Sequence, residues 1–455
     1  MNSNTISVIG LGKLGMPLAA SLAAKGFQVI GADMDPQKVR AVNEGRSPVF
    51  EPGLSELMSA GKERLGATED LESAVLASEV TFILVPTPSE PLGGFSLRHV
   101  LPVCEGIGRA LRSKGVFHNV VLTSTVMPGS TANEIRPALE THSGKRCGYD
   151  FGLCYNPEFV ALGSVLRDML NPDFVLIGES DSRSGDGLVN IYRKLCNNDP
   201  SIARMNFVNA ELTKLAVNTF VTTKISFANM LARMCEQLPG ADVDTVTSAL
   251  GLDSRIGRKY LKGAIGYGGP CFPRDNLALA ALARSIGAPA TLAEATDSSN
   301  QQQVGWLAGM VKSRLTKGGR VGILGLAYKA NSDVAEKSQG LLLARALTSE
   351  GVAVVAYDPV ASDNARKILH EHSVDNQRNV GIIFASSADE CIRQADVVVI
   401  ATPWEEFKHL TSPRLARHSP PRVVIDCWRL LNCLDNNDGV AYIPLGVGDL
   451  RVRDR

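Results

Sequence analysis

Histidine is scarce in this chain, at seven residues in 455, and aromatic residues make up only 5%. The histidines fall outside every motif, so none is a candidate acid, base or metal ligand, and no metal site is suggested. A net charge is missing as well: 47 Lys and Arg offset 47 Asp and Glu, with no basic block interleaved with aromatics. That pattern excludes a nucleic-acid surface and points to small molecules or other protein chains as partners. The nine cysteines are odd in number and include no C-x-x-C pair, which argues against a disulfide framework or zinc ribbon. No apolar run approaches the roughly 18 residues of a membrane span. A hydrophobic strand is expected almost at once, and no signal peptide is expected. The expectation is a reducing, cytoplasmic, soluble protein, long enough for two or three domains.

Short β-branched runs alternate with Ala- and Leu-rich helical stretches at Ile6 to Gly10, Val29 to Asp33, Val80 to Val85, Val120 to Val126 and Phe174 to Gly178. This is the pattern of a doubly wound parallel sheet. Glu211 to Leu238 contains neither Gly nor Pro and keeps helical spacing, roughly 40 Å of helix that should connect two lobes. Strand signals return at Val321 to Leu324, Val352 to Tyr357, Gly381 to Phe384, Val397 to Ala401 and Val423 to Asp426. Ala74 to Pro88 and Cys391 to Pro403 both run from a helix end through an acidic residue and a hydrophobic strand to Thr-Pro, as a duplicated nucleotide-binding unit would. The expected architecture is α/β: two Rossmann-like doubly wound parallel-sheet domains, 1–205 and 306–455, joined by a helical middle domain, 206–305, with a long central helix.

Gly10-Leu11-Gly12-Lys13-Leu14-Gly15 follows the first strand and opens a helix. In that setting Gly10 allows the tight turn, Gly12 lets a pyrophosphate approach the backbone, and Gly15 permits helix and strand to pack. Asp33, eighteen residues past Gly15, can accept both ribose hydroxyls, and an acid there repels a 2′-phosphate, so NAD is expected over NADP. Asp35 is a rival for that role.

Gly266-Tyr-Gly-Gly-Pro-Cys-Phe-Pro-Arg-Asp275 holds a lone cysteine in glycine-rich backbone. Its glycines give up side-chain packing for close approach, and Pro270 biases Gly269 towards an extended conformation, so Cys271 is presented at a fixed angle. A buried structural cysteine beside a glycine turn is the alternative. Glu211, Lys214 and Asn218 stand three and four residues apart and can share a helix face. Asn156-Pro-Glu158-Phe159 and Ser124-Thr125-Val126 place a carboxylate and a hydroxyl at strand ends, where such sheets carry ligands.

With these residues in view, the chain resembles the UDP-glucose and GDP-mannose dehydrogenases, the nucleotide-sugar 6-dehydrogenases, over nearly its whole length. The matching stretches are GLGKLG at 10–15, EPGL at 51–54, STVMPGS at 124–130, NPEF at 156–159, ELTKLAVNTFVTTKISFAN at 211–229, RIGRKYL at 255–261, GYGGPCFPRD at 266–275 and GLAYK at 325–329. The resemblance implies a four-electron oxidation of a sugar C6 alcohol to a carboxylate with two NAD⁺, UDP-glucose being the first expectation. Cys271 would be the nucleophile, through a thiohemiacetal and a thioester. Lys214 would favour its thiolate and stabilise oxyanions, with Asn218 donating a hydrogen bond. Glu158 and Asp275 would be acid and base, and Thr125 would hold a water. For the cofactor it implies Gly10, Gly12, Leu14, Gly15, Asp33, Lys38, Thr87, Thr125 and Lys329. For the substrate it implies Phe159, Lys214, Asn218, Arg255, Tyr260, Gly268, Lys329 and Arg429. Arg255 would reach a neighbouring subunit's sugar, which implies a homodimer or higher homo-oligomer.

The chain departs from the family pattern at three places. Leu162 stands where a second glutamate would follow NPEF, Asn331 to Ser338 replaces the usual acidic pair and arginine, and the late Asp-x-Arg reads Asp426-Cys-Trp-Arg429. Two of these changes fall on the substrate's nucleotide side, so UDP-galactose, an N-acetylhexosamine, GDP-mannose or a dTDP-hexose stay open as substrates. The competing readings are a two-electron hydroxyacid dehydrogenase and a nucleotide-sugar-binding protein without turnover.

Overall fold

The computed structural model describes residues 5–371, 381–417, 420–431 and 439–448. The chain divides into two compact units: Met1–Ala216 with Ala281–Ile286, and Val217–Ala280 with Gly287–Arg455.

The first unit is built on eight strands: β1 Thr5–Ile9, β2 Gln28–Ala32, β3 Leu65–Thr68, β4 Val80–Ile83, β5 Asn119–Leu122, β6 Gly152–Tyr155, β7 Phe174–Glu179 and β8 Ser201–Met205. Their order is β3-β2-β1-β4-β5-β6-β7-β8. The doubly wound parallel sheet is as expected, with one antiparallel pair: β7 runs against β6, with Cys154 opposite Glu179 and Tyr155 opposite Gly178. The central strands are buried on both faces, as Val80–Ile83 and Asn119–Leu122 show. Such strands read as unbroken apolar runs and were legible in the sequence. The edge strands β3 and β8 are half-exposed and carry Gly, Thr, Ser and Arg, which is why their runs give no comparable signal.

The second unit repeats the plan with β9 Arg320–Leu324, β10 Ala353–Tyr357, β11 Ile383–Phe384, β12 Val397–Ile400, β13 Arg422–Asp426 and β14 Val440–Pro444, all parallel, in the order β11-β10-β9-β12-β13-β14. The repeat is detailed. Gly10 donates to the Ala32 carbonyl and Gly325 to that of Tyr357, at 2.7 and 2.8 Å. A Cβ on Gly15 would stand 1.8 Å from the Gly10 carbonyl oxygen, and one on Gly340 would stand 2.1 Å from that of Gly325. The two turns therefore close on their helices in the same way. They differ in length: four residues separate Gly10 from Gly15, whereas Leu326–Gln339 intervene between Gly325 and Gly340.

The long helix runs Phe207–Gln237, beginning four residues before the sequence expectation. Asn206 explains the earlier start, because its Oδ1 accepts the Asn209 amide at 3.1 Å, as an N-cap does. Leu238-Pro239-Gly240 ends it. Among the described residues no helix is long and apolar enough to cross a membrane, and no group of three or more His, Cys, Asp or Glu could hold a metal ion.

Beneath the amino ends of β4 and β5 lies a buried polar plug. His118, fully buried, meets the Ser78 carbonyl through Nδ1 at 3.1 Å and the Thr81 hydroxyl through Nε2 at 2.8 Å. The carbonyl can only accept, so Nδ1 carries the proton of a neutral ring. Burial, reinforced by Lys114, lowers the His118 pKa to about 3. An unfolded histidine binds its proton near pH 6.5, so below that pH the unfolded state takes up the extra proton. Stability is expected to be full above pH 6.5 and to fall by several kcal/mol as pH drops towards 3. Urea midpoints measured across that window should fall for the parent protein and flatten in a His118→Gln variant.

Candidate active site

In the first unit the glycine turn has the geometry of a dinucleotide cradle. Gly10 has φ +96°, and a Cβ there would meet the Leu84 carbonyl oxygen at 2.5 Å, whereas the space over Gly12 is open. Helix Gly15–Ala24 follows, and its N-cap residue Leu14 offers no side-chain hydrogen bond to the first turn. Amides in that position are oriented towards an anion. Asp35 is committed elsewhere: its carboxylate accepts the Gln37 amide and caps helix Pro36–Asn43. Asp33, the other acid of this turn, accepts from Leu11 N at 2.8 Å, Asp35 N at 3.0 Å and Lys38 Nζ at 3.1 Å. A carboxylate has about four acceptor positions, and the half-exposed Lys38 is a movable partner.

The second unit carries the equivalent acid, Asp358, just past β10, in a different state. It accepts Leu326, Ala327, Val360 and Ala361 amides and the Trp404 indole N–H, between 2.7 and 3.0 Å. Five donors saturate it, so the dinucleotide fits the first unit's turn.

Near the carboxyl ends of β4 and β5, Thr87 Oγ1 donates to the Thr125 carbonyl at 2.7 Å and Ser124 Oγ to that of Val85 at 2.6 Å. Lys214, buried on the long helix, donates to the Glu158 carbonyl and lies 4.7 Å from the centroid of the Phe159 ring. Phe159 is itself held against Phe174, with 4.7 Å between ring centroids. The Glu158 carboxylate accepts the Val160 amide at 2.9 Å. Glu211 does not join Lys214 in chemistry: fully buried, it accepts Gly129 N at 2.6 Å and Thr131 N at 2.8 Å. Desolvation raises its pKa against those bonds.

In the second unit Cys271 immediately precedes helix Phe272–Ser285, and its carbonyl accepts the Asp275 amide at 2.9 Å. It is the one exposed thiol among the described cysteines; Cys433 lies outside the described residues. Burial pushes Cys104 and Cys391 up to about 12 and leaves them as inert thiols. A helix start favours negative charge at the position Cys271 occupies.

The glycines before the thiol are required by close packing rather than by flexibility. A Cβ on Gly268 would lie 2.2 Å from the Lys337 carbonyl oxygen, and one on Gly269, at φ +82°, would lie 2.6 Å from the Tyr328 ring. The positive φ replaces the extended conformation expected before Pro270. Gly269 N also donates to the Glu336 carbonyl at 3.0 Å. Four buried amide side chains clamp the approach. Asn229 brackets Ala264 and Ile265, Asn300 bonds both N–H and C=O of Tyr267, Gln339 donates to the Tyr267 carbonyl, and Asn276 donates to its hydroxyl. These residues were missed from sequence, although Asn218, Thr222 and Asn229 recur at helical spacing on one face.

Asn218 Nδ2 donates to Asp275 Oδ2 at 2.6 Å. Asp275 is 1% exposed, and its Oδ1 makes no hydrogen bond among the described residues. Arg274 Nε is 3.6 Å from that oxygen, beyond hydrogen-bond length. Lys329 is half-buried in the segment after β9. Tyr260 takes a left-handed φ of 64° and sets its ring 6.3 Å edge-on from Phe272.

Two substrate expectations find their side chains engaged. Arg429 is almost buried and donates to both Asp244 oxygens at 2.8 Å, to Leu445 O at 2.7 Å and to Gly263 O at 2.6 Å. That is an internal staple of the second unit. Arg255 is highly exposed and pairs with neighbouring Asp253.

Three family models of the UDP-glucose/GDP-mannose dehydrogenase family match the chain: the NAD binding domain over residues 4–196, the central domain over 208–302 and the UDP binding domain over 322–434. The UDP-glucose 6-dehydrogenase AglM of Haloferax volcanii is 37% identical over 445 residues, covering 97% of this chain and 99% of the relative. The GDP-mannose 6-dehydrogenase of Pseudomonas aeruginosa is 34% identical over 412 residues, covering 90% and 93%. The solved UDP-glucose dehydrogenase of Pyrobaculum islandicum superposes with a TM-score of 0.87 at 33% identity, covering 98% of each chain. With a cradle that fits NAD and full-length likeness to these enzymes, the chain belongs to the UDP-glucose/GDP-mannose dehydrogenase family.

Proposed function

We propose that the protein oxidises the C6 alcohol of a nucleotide sugar to the carboxylate, with UDP-glucose as substrate and Cys271 as covalent nucleophile. The observation that carries this reading is the exposed Cys271 thiol at a helix start, in a loop clamped by four buried amides. A structural cysteine needs no such presentation. NAD⁺, held by Gly10, Gly12, Leu14, Gly15 and Asp33, supplies the hydride acceptor for each of two oxidations.

The alcohol first loses two electrons and becomes an aldehyde. The Cys271 thiolate then forms a C–S bond to the aldehyde carbon, and the carbonyl oxygen becomes the alkoxide of a thiohemiacetal. Lys214, its ammonium oriented by the Glu158 carbonyl and the Phe159 ring, supplies positive charge for that oxyanion. A second two-electron loss gives the thioester, and attack by water breaks the C–S bond, releasing carboxylate and regenerating the thiol. Asp275, oriented by Asn218 with one oxygen unbonded, is a candidate to take the proton of that water, and Glu158 and Thr125 are the companion groups of the first unit. The 37% identity to a UDP-glucose 6-dehydrogenase over 97% of the chain supports UDP-glucose, and GDP-mannose, whose 6-dehydrogenases are 34% identical, is the alternative that the stoichiometry below tests. Lys329 and Tyr260 are candidate sugar-nucleotide contacts.

A homodimer is part of the proposal. Phe220, Phe227, Met230, Met234 and Leu238 are 40–65% exposed along one stripe of the long helix, spanning roughly 27 Å. Phe220 and Leu238 stand symmetrically about residue 229, as an antiparallel two-fold contact between copies would place the ends of the stripe.

With limiting UDP-glucose and excess NAD⁺, two NADH per sugar are expected at completion. One would indicate a two-electron enzyme, and none would send the search to GDP-mannose and other nucleotide sugars. Cys271→Ala should lower acid formation by at least about 10³-fold while leaving NAD⁺ binding intact; unchanged acid formation would remove the covalent mechanism. Replacing both Phe227 and Met230 by Asp should convert the species seen by light scattering from dimer to monomer, and a parent protein that is already monomeric would refute the stripe's role.

A further inference from the structure

The EPGL segment at 51–54 has no part in the chemistry above, yet it is built with care. Gly53 takes a left-handed φ of 80° as N-cap of helix Leu54–Ala60, and Leu54 is 1% exposed in the core beside Val165. The segment is thereby anchored, and Glu51, 8% exposed, faces the chain that follows NPEF. Its two oxygens accept two amides there, Gly163 N at 3.0 Å and Val165 N at 2.6 Å. The sequence separations are 112 and 114 residues.

Residues 158–164 contain no helix or strand, so their amides need partners from outside a ladder. Asp168 provides some: its Oδ2 accepts Ala161 N at 3.2 Å and Ser164 Oγ at 2.9 Å. Glu51 closes the far end. At the near end stand the Glu158 carbonyl and the Phe159 ring, the two groups that orient Lys214. Leu162 occupies the position from which a second glutamate could have braced this loop locally, and packs as an apolar residue against the core. The bracing carboxylate comes from Glu51 instead.

We propose that Glu51 is a positioning residue for the oxidation, acting through the 158–164 loop to hold Glu158 and Phe159 against Lys214. This rests on the functional reading above. It is tested with a Glu51→Gln variant of the full chain, which keeps shape but turns one acceptor into a donor facing an N–H. Amide hydrogen exchange of residues 158–165 should quicken at least about tenfold, while the remainder of the first unit exchanges as in the parent. With the sugar that the parent oxidises, kcat should fall about 10- to 100-fold, since a displacement near 1 Å can cost about 10²-fold. The KM and Kd for NAD⁺ should stay within about twofold. Asp168→Asn, at the loop's other anchor, should move exchange and kcat in the same direction. Unchanged exchange in the loop, or an unchanged kcat, would overturn the proposal. A variant that fails to fold or loses NAD⁺ binding would overturn it too, by making Glu51 a determinant of the domain rather than of the loop. The exchange measurement is independent of substrate identity, so an inactive parent would fail the functional reading alone.

Discussion

Buried carboxylates accepting backbone N–H groups hold this molecule's working loops in place. Asp33, Glu51, Glu211, Asp358 and Asp426 each take two or more amides from chain outside any ladder or helix interior. The constraint behind this is general to doubly wound sheets. Ligand-bearing loops leave the carboxyl ends of the strands, where ladder pairing stops and amide donors would otherwise be buried without partners. A charge-assisted bond to a carboxylate is about twice as strong as a neutral one, and leaving such a group unpaired costs about 1–3 kcal/mol. Each acid therefore both satisfies donors and fixes the spacing between segments remote in sequence.

The same device sends the two halves of the duplicated fold to different ends. Gly10 with Gly15 and Gly325 with Gly340 close equivalent turns, and Asp33 and Asp358 follow equivalent strands. Asp33 keeps capacity because one of its three donors is the movable ammonium of Lys38. Asp358 has none left once the Trp404 indole completes its five bonds. Four backbone amides and one indole thus make Asp358 a structural knot, while the longer turn after Gly325 provides the carbonyls of Glu336 and Lys337 on which the Cys271 loop packs.

Much of this was legible in sequence wherever the signal is local. The glycine turn, the central strands and the cysteine loop are each written within ten residues, so periodicity and glycine placement expose them. The edge strands β3, β8 and β14 were not, since half-exposed edges need no unbroken apolar run. The internal partners of Arg429 leave no local signal for a different reason: Asp244 lies 185 residues away in sequence. Glu51, Asn300 and Gln339 escaped likewise, because a side chain that bonds remote backbone leaves no period in the sequence. Glu211 was read with Lys214 on spacing alone, although burial assigns it to the Gly129 turn.

Backbone strain collects around the thiol. Of five described non-glycine residues with positive φ, four lie in the second unit: Tyr260, Asn331, Lys337 and Arg429. Each such residue costs about 1–3 kcal/mol and persists only where its surroundings over-determine it. Here they do. The Lys337 carbonyl is pressed against Gly268, the Arg429 staple ties Gly263 to Asp244, and Tyr260 and Tyr267 pack edge-on against Phe272, the residue after the thiol, with ring centroids 6.3 and 6.2 Å apart. A nucleophile on a loose loop would lose rotational freedom anew in each bond-forming step. For Cys271 as the proposed nucleophile, a loop fixed during folding moves that entropic cost out of the reaction.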